Sequence, residues 1–114
     1  MIHPEIEIAS LAKHANEALI LAVLSRGDRH GYQIAVEIEE ESGGKFTFNH
    51  GTLYPILHKL EKEGMIKGLW KRSTTKRKRK YYTLTKDGKN YFDEQCQGFY
   101  LFFTCLFDII GRKK

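Results

Sequence analysis

A run of ten residues, 71–80, offers one kind of chemistry, because seven of the ten are Lys or Arg and none is acidic. The seven are Lys71, Arg72, Lys76, Arg77, Lys78, Arg79 and Lys80. The chain has 19 Lys and Arg and 14 Asp and Glu, which gives a net charge of +5. Without this run, 12 Lys and Arg would remain and the net charge would be −2. A focused cationic segment attracts polyanions through Coulomb attraction and counterion release, and nucleic acid is the commonest of these. A solvated basic loop is the alternative.

Residue patterns typical of an enzyme or a metal site are missing from the sequence. The histidines, His3, His14, His30, His50 and His58, have neither HExxH nor HxxxH spacing, and no GxSxG motif occurs. Cys96 and Cys105 are nine positions apart, which places them on opposite sides of a helix, so we expect two buried structural thiols. We therefore expect no catalytic residue, no metal and no cofactor.

The composition is that of one folded domain, which we expect in the cytoplasm. The chain has 114 residues, of which 41% are hydrophobic and 29% charged, which is ordinary for a globular protein. Glu5 and Glu7 interrupt residues 1–10, so no signal peptide is expected there. The longest apolar stretch, residues 99–110, contains Asp108 and falls short of the roughly 20 residues that span a bilayer. We expect no membrane segment.

The first two helices are predicted from apolar spacing. Apolar residues at three- and four-residue intervals predict a first helix over residues 4–25, with alanines that another helix can approach closely. A second helix is expected over residues 30–41, ended by Gly43 and Gly44. The role of its acidic end stays open.

The third helix is expected to present two different faces. Residues 46–48 predict a short strand, and Asn49 is a good N-cap for the helix that follows. Leu53, Ile56, Leu57 and Leu60 form the stripe that faces the core. The opposite side then carries hydrogen-bonding and cationic groups, namely Thr52, Tyr54, His58, Lys59 and Lys62.

A hairpin and a long aromatic helix complete the predicted chain. Residues 65–72 and 80–84 predict two strands joined by the basic tip 73–79, with Trp70 packed on the first strand. Thr85 is a suitable N-cap for a last helix that runs to about residue 110. From Phe99 onward this helix is apolar on every side, which requires burial that one small domain does not supply.

The order of three helices and a basic hairpin is that of a winged helix-turn-helix domain, in which the third helix enters the major groove. Four separate motifs resemble those of the PadR family of bacterial transcriptional regulators. They are HGYQI at residues 30–34, GTLYPIL at 51–57, LEKEGMI at 60–66 and RKYYTLTKDG at 79–88. The resemblance covers residues 19–92.

This resemblance implies a mainly α fold with a small β-hairpin. It divides the chain into a winged helix-turn-helix domain, residues 1–84, and a C-terminal dimerisation helix, residues 85–114. The chain resembles the compact subfamily, which has a single long helix there. The residues expected at the dimer interface, to which helix 4–25 also contributes, are Leu11, Ala15, Ala18, Phe92, Phe99, Phe103 and Leu106.

The implied function is that of a homodimeric repressor on a palindromic operator in double-stranded DNA. The residues expected to contact DNA are Tyr32, Asn49, Thr52, Tyr54, His58, Lys59, Lys76, Arg77, Lys78, Arg79 and Lys80. The alternative is a winged-helix module that binds RNA or a protein partner, because a fold alone does not fix function.

The compact subfamily also implies a small-molecule effector. In its multidrug-responsive members, aromatic residues of the last helix line a pocket at the dimer centre that takes flat apolar compounds. The corresponding residues here are Cys96, Phe99 and Phe103. The sequence departs from that pattern by lacking a tryptophan and an acidic residue in this segment. Core packing and dimer burial are the alternative role for these side chains.

Overall fold

The computed structural model describes residues 11–13, 15–72 and 77–112. The described elements follow one another as helix α1 (Asn16–Leu24), strand β1 (Arg29–His30), helix α2 (Gly31–Glu41), helix α3 (His50–Lys62), strands β2 (Ile66–Arg72) and β3 (Lys78–Leu84), and helix α4 (Lys86–Gly111). This is the predicted order of three helices, a hairpin and a long terminal helix. None of the helices in this part of the chain is long and apolar enough to span a membrane.

The predicted continuous first helix is wrong, because α1 begins only at Asn16. Leu11 and Ala12 are helical, but the chain turns at Lys13 and Ala15, and the Ala15 N–H donates to the Ala12 carbonyl at 2.9 Å. Ala12 and Ala15 continue the apolar spacing across this turn, so the spacing does not show where the helix is interrupted. Residues 4–10 of the predicted helix lie outside the described residues.

The sheet has one strand more than predicted. The strand order is β1-β3-β2, and all pairs are antiparallel. β1 is only two residues long, with Arg29 opposite Tyr82 and His30 opposite Tyr81, and it has no alternating pattern of its own. The strand predicted at residues 46–48 is not formed, because Phe46 and Phe48 pack half-buried against the core with no neighbouring strand to bond.

The core lies between α1, α2 and α3. Its fully buried side chains are Ile20, Leu21, Ile34, Leu57, Leu60 and Ile66. The predicted apolar stripe of α3 is confirmed, since Leu53, Leu57 and Leu60 are buried and Ile56 packs against the cluster. α3 is thereby held with its opposite face outward.

The basic tip of the hairpin is shorter than predicted. β3 begins at Lys78, so Lys78 and Arg79 are strand residues and pair with Arg72 and Lys71 across the hairpin. Successive residues of a strand point to opposite faces of the sheet, so these side chains have defined directions. Residues 73–76, which include Lys76, lie outside the described residues.

α4 is fixed at its base and then leaves the body of the protein. Thr85 is its N-cap, as predicted, and its hydroxyl accepts from the Gly88 N–H at 2.9 Å. Gly88 is the one buried residue among those described in α4, and a Cβ there would lie 1.9 Å from the Met65 carbonyl oxygen. Beyond this anchor the helix is largely exposed, and the molecule measures 62 × 32 × 21 Å. The prediction of two buried thiols is wrong, since Cys96 is half-buried but Cys105 is exposed.

Candidate nucleic-acid interface

The outward face of α3 begins at a well-formed cap. The Asn49 side-chain oxygen accepts from the Thr52 N–H at 2.9 Å, so this predicted contact residue already has a structural task. His58, Lys59 and Lys62 of the same helix are exposed, while Tyr54 is half-buried beside the His50 ring, with ring centroids 5.3 Å apart. The face therefore offers hydrogen-bonding groups on a rigid helix.

A groove of about 640 Å³ separates α3 from the hairpin. Its walls come from α2, α3 and both strands of the hairpin, and its lining residues are His30, Gly31, Tyr32, Tyr54, His58, Trp70, Arg79, Lys80 and Tyr82. Five of the predicted contact residues, Tyr32, Tyr54, His58, Arg79 and Lys80, thus line one groove.

Sequence reasoning missed two members of the groove. Trp70 was expected to be packed, but 68% of it is exposed, where it lines the groove. His30 was read only as the start of a helix, and it is 9% exposed. His30 is the first residue of the HGYQI motif, which was the signal available for it, whereas no quoted motif contains Trp70.

Two of the predicted cationic contacts are already paired with carboxylates. Lys59 Nζ lies 2.5 Å from Glu17 Oε2, and Lys80 Nζ lies 2.9 Å from Glu61 Oε1. The hydrogen bond to Glu17 raises the pKa of Lys59, and the hydrogen bond to Glu61 raises the pKa of Lys80. Both ammonium groups must exchange a carboxylate for any phosphate that they bind.

The other described cations of the hairpin are more open. Arg72, Arg77 and Lys78 are exposed at the outer end, and Lys71 Nζ lies 3.6 Å from Asp28 Oδ2. Arg79 instead points inward, with its Nη1 2.9 Å from His30 Nε2. The hairpin thus divides into an exposed cationic end and a half-buried cation at the groove.

His30 is held by several contacts. Its Nδ1 accepts from the Gln33 N–H at 3.3 Å, while the Gln33 side-chain oxygen accepts from the His30 N–H at 3.1 Å. The ring stacks edge-on against Tyr81, with centroids 5.4 Å apart. Burial, followed by the charge of Arg79, lowers the pKa of His30. This imidazole is therefore fixed and favours its neutral form.

Two carboxylates of the acidic end of α2, Glu37 and Glu41, pair with arginines. Arg29 Nε lies 2.9 Å from Glu37 Oε1, and Arg26 Nη1 lies 3.1 Å from Glu37 Oε2 and also pairs with Glu41. The hydrogen bond from Arg29 lowers the pKa of Glu37. These pairs tie the loop after α1 to the end of α2, on residues that do not line the groove.

A second cavity, of about 700 Å³, lies along α4. Its lining is almost entirely apolar and consists of Leu11, Ala12, Ala15, Leu19, Phe46, Gln95, Gly98, Phe99, Phe102 and Phe103. Of the predicted effector residues, Phe99 and Phe103 line it and Cys96 does not. Of the predicted interface residues, Ala18 is buried and Phe92 packs against the core of its own chain, whereas Leu11 is 60% exposed.

A polar junction connects this cavity to α3. Glu17 accepts from the Tyr91 hydroxyl at 2.7 Å and from Lys59 on α3, and Gln95 Nε2 donates to the Tyr91 hydroxyl at 3.3 Å. Within the described residues, Gln95 Oε1 is a buried side-chain atom with no hydrogen-bond partner. Glu17, Lys59 and Tyr91 join α1, α3 and α4, and Gln95 extends the junction along α4.

Among the described residues, His, Cys, Asp and Glu form no group of three that could hold a metal ion.

Known proteins resemble this chain in sequence and in fold. Residues 20–94 match the PadR-like family of transcriptional regulators. The chain is 40% identical over 70 residues to the negative transcriptional regulator PadR of Bacillus subtilis, which covers 61% of this chain and 38% of that protein. The crystal structure of a PadR-like transcriptional regulator from Bacillus cereus superimposes with a TM-score of 0.79 and 27% identity, over 93% of this chain and 100% of that one.

The crystal structure of Bacillus subtilis PadR in complex with operator DNA is also similar. It superimposes with a TM-score of 0.65 and 34% identity, over 72% of this chain and 46% of that chain. The chain described here therefore spans less than half of the length of that relative.

Proposed function

Because the chain belongs to the PadR-like family of transcriptional regulators, we propose that it is a repressor that binds a palindromic operator as a homodimer. The observation that carries this proposal is the groove between α3 and the hairpin β2–β3, which is called the wing from here on. The groove brings Tyr54 and His58 of the helix opposite Arg79 and Lys80 of the wing. Repression itself is inferred from the similar Bacillus subtilis protein, which is a negative regulator.

DNA contact divides between the helix and the wing. Tyr54 and His58 carry donors and acceptors on a rigid helix, which suits them to base edges in the major groove. The exposed cations Arg77 and Lys78 suit phosphates, which position a protein without encoding sequence. Asn49 contributes with its amide nitrogen, since its oxygen caps α3.

The dimer is inferred from α4. Its distal half exposes large apolar side chains that one protomer leaves uncovered, namely Tyr100, Leu101, Phe102, Phe103, Phe107, Ile109 and Ile110. Contiguous apolar surface of this kind marks an interaction site on a folded protein. A second copy of α4 offers the same apolar surface in return, as a two-fold interface requires.

An effector would bind in the apolar cavity beside α4. Phe99 and Phe103 offer aromatic faces there, and Gln95, which also lines the cavity, has a side-chain oxygen with no hydrogen-bond partner among the described residues. We infer a flat apolar ligand with one hydrogen-bond donor. A planar dye that fluoresces in apolar surroundings should bind the wild type and lose its emission with Phe99→Ala, while equal emission from both proteins would refute the site.

Binding to random duplex DNA and to single-stranded RNA tests the proposal against its alternative. If a dimer neutralises about 6 to 10 phosphates, duplex affinity should fall roughly 10³- to 10⁵-fold between about 50 and 200 mM salt. Fluorescence anisotropy at several salt concentrations measures this dependence. Preference for the RNA, or an affinity for DNA that does not depend on salt, would favour an RNA- or protein-binding module.

A further inference from the structure

We propose that Trp70 packs its indole ring against the sugars of the DNA backbone, beside phosphates that cations on the same face of the wing neutralise. Trp70 is not among the residues expected to contact DNA, and it lies outside the four motifs of the family resemblance. This contact rests on the proposed DNA binding and adds to it an apolar contact that carries no charge.

One face of the wing changes from core to open surface along its length. Residues opposite each other on antiparallel strands point to the same face, and successive residues alternate between faces. Four cross-strand pairs therefore share the face that carries Trp70, namely Ile66–Leu84, Gly68–Tyr82, Trp70–Lys80 and Arg72–Lys78. Ile66 and Tyr82 are each 2% exposed, whereas Trp70 is 68% exposed. A large apolar ring thus stands where this face, called the Trp70 face below, leaves the core.

The side chain opposite Trp70 leaves the indole ring open. Lys80 Nζ lies 2.9 Å from Glu61 Oε1 and 5.5 Å from the centroid of the Tyr82 ring. The stem of Lys80 passes over Gly68, where an added Cβ would collide with Lys80 Cε. Lys80 therefore leans toward Gly68 and Tyr82 and not over the indole. The open ring lines the groove between α3 and the wing.

The charges on the Trp70 face indicate what covers the ring. Arg72 and Lys78 pair with each other one step further along the wing, and both are exposed. An aromatic ring among cations matches an anionic polymer that also has apolar groups. The DNA backbone has both, because its phosphates alternate with deoxyribose rings. A second copy of the same face would instead meet like charges, which oppose association.

A sugar suits this indole better than a base does. The bases of a duplex are stacked and show only their edges in the grooves, and inserting a side chain between them requires that they unstack. An indole has one N–H donor and no acceptor, so it reads little of the pattern on those edges. The neighbouring cations suit phosphates, and the sugars lie directly beside the phosphates.

The unmodified protein reports on this contact by its own fluorescence. Trp70 is the only tryptophan of the chain, so emission excited where tyrosine does not absorb comes from this ring alone. Acrylamide should quench the free protein readily, because the ring is open to solvent. Saturating duplex at low salt should shift the emission to shorter wavelength and protect the ring from acrylamide. Anisotropy of a labelled duplex measures binding in the same samples.

Variants of Trp70 test whether the ring contributes to affinity. Trp70→Ala should lose on the order of 10-fold in duplex affinity per protomer, at an unchanged slope of log affinity against log salt, because an indole releases no counterion. Trp70→Phe should keep most of the affinity, since a phenyl ring still covers a sugar. Leu69→Ala is the matched control, because Leu69 is an exposed apolar neighbour on the opposite face that does not line the groove. It should bind like the wild type, and circular dichroism checks folding.

Two comparisons separate contact with a sugar from attraction by charge. Lys78→Gln, on the Trp70 face, should reduce the slope of log affinity against log salt by about 0.9 per protomer. Inorganic polyphosphate has phosphates without sugars, so Trp70→Ala should bind it as the wild type does.

Several results would overturn the sugar contact. Equal acrylamide quenching with and without bound duplex, or wild-type affinity in Trp70→Ala, would show that the ring stays in solvent. A ring already protected in the free protein would mean that a second copy of the chain covers it. A wild-type slope in Lys78→Gln would place the phosphates elsewhere.

Other contacts and a failure of DNA binding are recognised separately. A changed base preference in Trp70→Ala would indicate a base contact, and an equal loss of affinity for polyphosphate would indicate an effect of charge. Each of these would also refute the sugar contact. If the wild type binds no duplex, the proposed function fails as well, whereas bound duplex with an unprotected ring refutes this contact alone.

Discussion

At the scale of single residues, Glu17 bonds to two distant parts of the chain. It joins Lys59 of α3 and Tyr91 of α4, which are 42 and 74 positions away in sequence. Burial opposes its ionisation, but the hydrogen bonds from Lys59 and Tyr91 outweigh this effect and lower the pKa of Glu17. The charged form is therefore favoured by folding.

This pKa shift predicts a pH dependence of stability. A carboxyl whose pKa is lower in the folded state stabilises the protein above its unfolded pKa, near 4.5, and loses that contribution as the pH falls through the folded value. Glu17→Gln should therefore cost about 1 kcal/mol of unfolding free energy at pH 7 and progressively less below pH 4.5. Urea unfolding at a fixed protein concentration measures both.

The exposed Glu39→Gln is the matched control for this prediction and should unfold like the wild type. A cost for Glu17→Gln that is the same at pH 7 and at pH 3 would contradict the role of its charge.

Local sequence patterns predicted the roles of some residues and not those of others. Asn49 and Thr85 are N-caps as expected, because a cap bonds to a backbone N–H three residues along the chain. The contacts of Glu17 and His30 join residues from distant parts of the chain, and no local pattern encodes them. The cationic run was visible as composition, but the pairing of Lys80 with Glu61 required the fold.

At the scale of elements, the base of α4 depends on the absence of a side chain at Gly88. Gly88→Ala would place a methyl group 1.9 Å from the Met65 carbonyl oxygen, and a backbone atom cannot move aside easily. We expect a net loss of about 1 to 3 kcal/mol, although alanine is the better helix former. Thermal unfolding measures the effect.

Gly111→Ala provides the control in the same helix, since nothing described lies within 4 Å of a Cβ at that position. It should be neutral or slightly stabilising. If Gly88→Ala were as stable as Gly111→Ala, the close packing of α4 on the Met65 carbonyl would be wrong.

The predictions of helices and strands were correct where the apolar periodicity was strong. The α3 stripe has side chains of one kind at helical spacing, and the helix ends within a residue or two of the Gly64 stop signal. The first helix was predicted too long, because alanines at residues 12 and 15 continue the spacing through a turn. Strand β1 was missed because two residues are too few to show alternation.

At the scale of the whole molecule, the exposed end of α4 is the strongest reason to expect a second copy. Phe103→Asp or Leu106→Asp places a charge in the proposed interface and should yield monomers or aggregates in sedimentation velocity. Asn90→Asp adds the same charge at an exposed position near the base of α4 and should remain dimeric. An unchanged dimer in both interface variants would refute this placement.

The aromatic composition of α4 predicted that the helix needs cover, and the described chain leaves it largely exposed. The proposed second copy of the chain would supply this cover, and neither the sequence pattern nor the fold of a single chain shows it. The same reason explains why Cys105, expected to be buried, is exposed here.

Selection from a pool of random duplexes tests most directly whether paired protomers read DNA through α3 and the wing. The wild type at low salt should enrich an inverted repeat whose half-site centres are about 10 to 10.5 base pairs apart, or a multiple of this, as two recognition helices of a dimer require. A pool that remains random after several rounds, or one that yields a single site without two-fold symmetry, would contradict the account.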